Sequence, residues 1–187
     1  MRNSLIILGI LDDSDVEWFS KISRTIDLPT DEILIEEGIK IESLWVILEG
    51  SLSVTTITDL EKRFATIYPG EIVGEVSFLD SRPPAVTLVA AEPTRLLEVK
   101  RSDLKAKLNN DTHFASRFYR ALGVCLAQRL IHLTHTTLTV STLGVVDQDE
   151  PADAKVDTGS ELDPEVLEAM SLASHRFEYL LERSTKN

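Results

Sequence analysis

Between residues 32 and 99 apolar side chains recur at every second position, and outside that stretch they recur at every third or fourth. Leu44, Val46 and Leu48 alternate with Trp45, Ile47 and Glu49, while Ser51–Thr55 and Thr87–Ala90 are alternating or β-branched. A period of two is that of a strand. Gly38, Gly50, Asp59, Gly70, Pro83 and Pro93 break the pattern at short, fairly even intervals. Short strands so punctuated predict a sandwich or jelly roll.

The flanks read as helix. Residues 1–27 suggest a helical entry, with caps in Asp12-Asp13-Ser14-Asp15 and Val16, Phe19 and Ile22 on one face. Ser102 caps a short helix, and a long one is expected from about His113 to about Leu133. Its stripe is Phe118, Leu122, Leu126 and Leu130, broadened by Phe114, Ala121, Cys125 and Ala127. So wide an apolar arc exceeds what one barrel covers and predicts a homodimer through this helix. Residues 134–146 suit helix, hinge or strand equally. Residues 147–165 carry eight carboxylates against one lysine and read as an acidic linker. Asp163 as N-cap and Pro164 at the first helical position then start a last helix. Its narrow seam of Val166, Met170, Ala173, Phe177 and Leu180 either folds back or docks on another chain. The expected organisation is α+β: residues 1–135 a barrel with flanking helices, 136–165 hinge and linker, 166–187 an amphipathic helix.

Charge narrows the partners. The 187-residue chain has a net charge of −12, and no basic run is longer than Lys100-Arg101. Affinity for DNA rests on neutralising phosphates, so direct DNA binding is not expected. Leu5–Leu11 is too short an apolar run to span a bilayer, and no cleavage site follows it, so a cytoplasmic protein without membrane association is expected. The single Cys125 fits a reducing compartment. His113, His132, His135 and His175 all lie outside the strand region, which disfavours a metal held inside a barrel. No Gly-x-Ser-x-Gly or Cys/His arrangement marks a nucleophile, so neither catalysis nor a cofactor is expected.

The chemistry concentrates in Pro69-Gly70-Glu71-Ile72-Val73-Gly74-Glu75-Val76-Ser77-Phe78-Leu79. A glycine turn leads into one helical turn, whose free N–H groups suit an anion. Glu75 suits a sugar hydroxyl as acceptor. Gly38 and Gly50 stand twelve apart, with Gly70 twenty further on and Gly74 after it. Together with Leu44–Gly50, Pro83–Leu88 and the helix from Phe114 to Leu130, these segments resemble the cyclic nucleotide-binding domain. The likeness spans roughly residues 10–135.

That resemblance implies a jelly-roll sensor with Gly74, Glu75, Ser77 and Thr87 at the ligand. The family's phosphate-clamping arginine falls nine or ten residues after the glutamate, where this chain has Pro84 and Ala85. Arg82 is the nearby substitute. Two branches follow: a pocket retuned for a cyclic dinucleotide such as cyclic di-GMP rather than cAMP, or a ligand-free scaffold acting only as an interaction module. Arg2, Arg117 and Arg120 are the further candidates for guanine edges or phosphates. The family's transcription factors continue into a helix-turn-helix, and no such unit follows here, so the expectation is a stand-alone sensor. Its relay would be protein–protein contact, with a transcription factor as a candidate partner.

Overall fold

The computed structural model describes residues 4–143 and 164–185. Arg2, the acidic segment and the Asp163 cap lie outside these residues. Helix α1 (Ser4–Ile10) and helix α2 (Asp13–Ile22) form the entry. Asp12 caps α2 by accepting the Asp15 N–H at 2.9 Å, while the Asp15 carboxylate accepts the Asp12 N–H at 3.0 Å. This reciprocal pair satisfies two otherwise unpaired donors. The entry ends earlier than expected, because β1 (Arg24–Leu28) already pairs with a strand of the barrel.

Strands β2 (Ile33–Ile35), β3 (Ser43–Glu49), β4 (Leu52–Thr55), β5 (Ala65–Ile67) and β6 (Ile72–Val73) follow. Helix α3 (Glu75–Asp80) precedes β7 (Thr87–Ala90) and β8 (Thr94–Lys100). The strands form two four-stranded antiparallel sheets, ordered β1-β8-β3-β6 and β2-β7-β4-β5. This is the expected α+β jelly roll.

The period of two in β3 decides the layering. Trp45 and Ile47 point into the inter-sheet core with Leu28, Leu52, Leu88 and Leu96. Leu44 and Leu48 point the other way, into a second core shared with the helices. Strand β3 is therefore buried on both faces, with Glu49 at its end exposed. At Gly50 the backbone has φ +79°, and an added Cβ would lie 2.4 Å from the Pro93 carbonyl. Only glycine allows that approach.

Helix α4 (Arg101–Asn110) starts one residue before the expected Ser102 cap, with Lys100 at its N-cap and no side-chain cap bond. Helix α5 (Thr112–Leu143) opens where the Asp111 carboxylate accepts the Phe114 N–H at 2.9 Å. It runs on through the threonine-rich stretch, which is therefore helix as far as Leu143. Among the described side chains of this helix, the buried ones are Phe114, Phe118, Ala121, Leu122 and Cys125, whereas Leu130 is 65% exposed and Ala127 is exposed too. The burial seam thus leaves the expected stripe after Leu122 and continues through Cys125 toward Arg129.

Helix α6 (Pro164–Ser184) folds back. Ala173 and Leu180 are buried in the helical core beside Ile7, Leu8 and Leu11. Arg176 donates to the Leu8 and Leu11 carbonyls at 2.7 and 2.6 Å and to Asp13 at 2.8 Å. One guanidinium thereby caps the C-terminal end of α1 and meets the negative first turn of α2. The side chains of Val166 and Met170, the start of the expected seam, lie outside the described residues.

Candidate functional site

Strand β6 ends at Gly74, whose φ of +88° sets the N-cap of α3 in the left-handed region. An added Cβ there would meet Ile41 Cδ1 at 3.0 Å and the Ser43 carbonyl at 3.1 Å. The turn thus delivers Glu75 to the interior at the start of α3, with a side chain only 3% exposed. Buried carboxylates need a cation or several hydrogen bonds. Arg129, from the far part of α5, supplies the cation.

The Arg129 guanidinium spans the whole turn. Nη1 donates to Oε1 of Glu75, Nη2 donates to the Ile72 carbonyl at 2.8 Å, and the Glu71 carboxylate lies 3.6 Å away. Burial pushes the Glu75 carboxyl above the usual carboxylate range, opposed first by Arg129 and then by the N–H groups of Glu75 and Val76. Desolvation prevails, so the carboxylate is held at an electrostatic cost. Cys125, one turn before Arg129, is 3% exposed and its thiol is pushed up to about 11, mainly by burial. Phe78 of α3 packs edge-on against Phe118 of α5, with ring centroids 6.2 Å apart. The glycine turn and α5 are thereby joined twice, by an ion pair and by an aromatic contact.

The other candidates lie as follows. Ser77 is buried within α3. Thr87 is fully buried, and its hydroxyl accepts the Glu37 N–H at 3.1 Å, which fixes the loop after β2. Arg82 does not reach Glu75: its side chain is 82% exposed and pairs with Asp80 at 2.6 Å. Arg117 faces α2 instead, with Asp15 at 2.6 Å and Asp12 at 2.9 Å. Arg120 is exposed. Arg82, Arg117 and Arg120, expected to gather around a dinucleotide, are therefore spread over separate places, and the arginine that meets Glu75 is Arg129. Its signal in the sequence was an arginine four residues beyond Cys125, in line with the buried series. A charge on such a seam requires a buried partner of opposite sign.

Two more features bear on ligands. Trp45, whose ring carbon Cζ3 would lie 3.5 Å from a Cβ on Gly74, has an indole N–H that is buried without a hydrogen-bond partner among the described residues. Buried donors are usually paired, so this one marks where an acceptor would be welcome. Among the described residues no cluster of three or more His, Cys, Asp or Glu could hold a metal ion, and no helix is long and apolar enough to cross a membrane.

Residues 25–111 match the family model of the cyclic nucleotide-binding domain. With the two sheets, the left-handed Gly74 and the buried Glu75, these residues are a cyclic nucleotide-binding domain. Solved structures show the same fold. A cyclic nucleotide-binding domain from Methylobacillus flagellatus KT is 24% identical with a TM-score of 0.64, covering 77% of this chain and 85% of that one. The N-terminal domain of a transcriptional regulator from Streptomyces coelicolor A3(2) is 26% identical with a TM-score of 0.57, covering 66% and 90%. A c-di-GMP responsive global regulator from Xanthomonas campestris is 22% identical with a TM-score of 0.63, covering 91% and 92%. No curated protein matches the chain in sequence.

Proposed function

We propose that this chain is a non-enzymatic second-messenger sensor in which a cyclic nucleotide-type ligand competes with Arg129 for Glu75. The observation that carries the reading is the buried Glu75–Arg129 pair. The acceptor that would meet a sugar hydroxyl is already occupied by a group from α5, so a ligand taking it releases the helix. Signal and ligand site then share one bond.

A cyclic dinucleotide is placed ahead of a cyclic mononucleotide. Pro84 and Ala85 stand where a phosphate-clamping arginine would be, and one structural neighbour is described as c-di-GMP responsive. The output is protein contact through α5, first with a second copy of the chain and then with a partner such as a transcription factor. Tyr119, Leu130 and Ile131, at 48%, 65% and 56% exposure, support that face as the contact. The second reading is a ligand-free scaffold, and the same pair favours it, because Glu75 already has its cation.

Calorimetry with cyclic di-GMP, cyclic di-AMP, cAMP and cGMP separates the two. The sensor reading expects Glu75→Gln to weaken binding roughly tenfold to a hundredfold. Arg129→Met should strengthen it, because a competitor has been removed. A ligand whose affinity falls in Arg129→Met would make Arg129 a clamp rather than a competitor and overturn the competition. Failure of all four to bind would leave the scaffold.

A further inference from the structure

At the opposite end of α3 from Glu75 lies a cleft of about 160 Å³, lined by Lys40, Ile41, Glu42, Ser81, Arg82, Arg101 and Lys105. Its cations come from three places in the chain: the approach to β3, the loop after α3, and α4. Ser81 closes α3 with φ +63°, a conformation that costs a non-glycine residue energy. Arg101 is fixed rather than free. Its backbone N–H donates to the Glu42 carbonyl at 2.9 Å, Nη1 to the Ile41 carbonyl at 3.4 Å, and its guanidinium stands 5.5 Å from the Phe78 ring centroid. Arg82 is tied to Asp80 at 2.6 Å, whereas Lys40, Arg101 and Lys105 have no ion-pair partner among the described residues.

We infer that this cleft is a binding site for a phosphate group, separate from the Glu75 site. Four cations around one small volume, against Glu42 and the Asp80 already held by Arg82, stand out on a chain of net charge −12. Like charges gathered in a concavity repel one another unless an anion joins them. Their arrangement around a point, rather than along a stripe, favours a compact dianion over an extended acidic polymer. The volume is below the roughly 300 Å³ at which pockets for whole organic ligands begin. The cleft therefore takes either free phosphate or the phosphate end of a larger molecule. Bound there, the group would bridge α4, which leads directly into α5, to the loop that follows α3.

Titration of the full chain with inorganic phosphate and with adenosine monophosphate, followed by NMR or calorimetry, tests the site. Binding tighter than about 1 mM that weakens as salt rises is expected. Lys40→Gln/Lys105→Gln alters only exposed side chains and should weaken it at least tenfold. Arg101→Gln should do likewise, and Glu75→Gln should leave it unchanged. Equal affinity for both probes identifies free phosphate, and a preference for the nucleotide identifies a phosphate monoester; either supports the site. No binding, binding unaltered in the double variant, or binding of a polyglutamate peptide but not of phosphate overturns it.

Discussion

Arg129→Met removes the cation from a carboxylate that cannot reach water, and its cost follows from the geometry. The Glu75 side chain is 3% exposed and that of Arg129 28%, and the variant also deletes the bond to the Ile72 carbonyl. Breaking one side of a buried pair costs about 3–5 kcal/mol, and the partial exposure of Arg129 places this case near 3. With a urea m-value of about 2 kcal/mol/M, the midpoint should fall by about 1.5 M. Glu75→Gln/Arg129→Met, which also removes the stranded charge, should recover much of that, giving a coupling of about 2 kcal/mol in the double-mutant cycle. The pH dependence provides an internal check. Because the folded-state pKa of Glu75 lies above its ordinary 4.5, the folded chain holds more protons than the unfolded one across that window, so stability falls as pH rises through it. Without Arg129 to lower the pKa, the window widens upward. The deficit of Arg129→Met relative to the parent should therefore be smallest near about pH 5 and grow toward about pH 8. A variant within about 0.5 kcal/mol of the parent at every pH would refute the buried-pair argument.

The C-terminal helix belongs to the core, so Leu180→Ala should cost about 2–4 kcal/mol in urea melts, and deleting residues 164–187 should destabilise the whole domain. An unchanged melt after that deletion would make α6 a detachable element. Gly38 and Gly50 share φ +79°, but a Cβ meets nothing within 4 Å at Gly38 and the Pro93 carbonyl at 2.4 Å at Gly50. Gly38→Ala should cost about 1–2 kcal/mol and Gly50→Ala at least about 1–3 kcal/mol more; equal melting temperatures would contradict the close approach. Lys107 and the Phe114 N–H hold the Asp111 carboxyl at about 2, below its ordinary 3.8. Its contribution is complete above 3.8 and is lost as pH falls toward 2, so Asp111→Asn should flatten the acid side of the melting-temperature profile, and an unchanged slope would count against the cap.

Much of the barrel was legible because its determinants are local. The alternation of Leu44, Val46 and Leu48 with Trp45 and Ile47 is a period that only a strand satisfies, and the turn glycines mark backbone that other residues resist. Strand β1 was missed because Arg24-Thr25-Ile26-Asp27-Leu28 carries only a weak alternation and owes its place to pairing with β8. The long helix was legible as a helix, but its buried face was not. After Leu122 the seam follows Cys125 and Arg129 rather than Leu126 and Leu130, because a buried glutamate lies opposite. The site was half legible for the same reason. Gly74 and Glu75 stand adjacent in the chain, whereas Arg129 reaches them across 54 positions, a pairing that composition and period do not encode. Thr87 and Arg117 were sound choices by residue type, yet the structure commits one to the Glu37 backbone and the other to Asp12 and Asp15.

The most direct test of the competition between ligand and Arg129 uses Cys125, the single cysteine, buried one turn before Arg129 with a thiol pushed up to about 11. Its rate of modification by a thiol reagent near neutral pH reports whether α5 holds its place against the glycine turn. Modification should be slow in the free protein, and about tenfold or more faster both in Arg129→Met and when a saturating cyclic dinucleotide binds the parent. A ligand that saturates the protein while Cys125 stays as protected as before would show that Glu75 can be engaged without releasing α5, and would contradict the account.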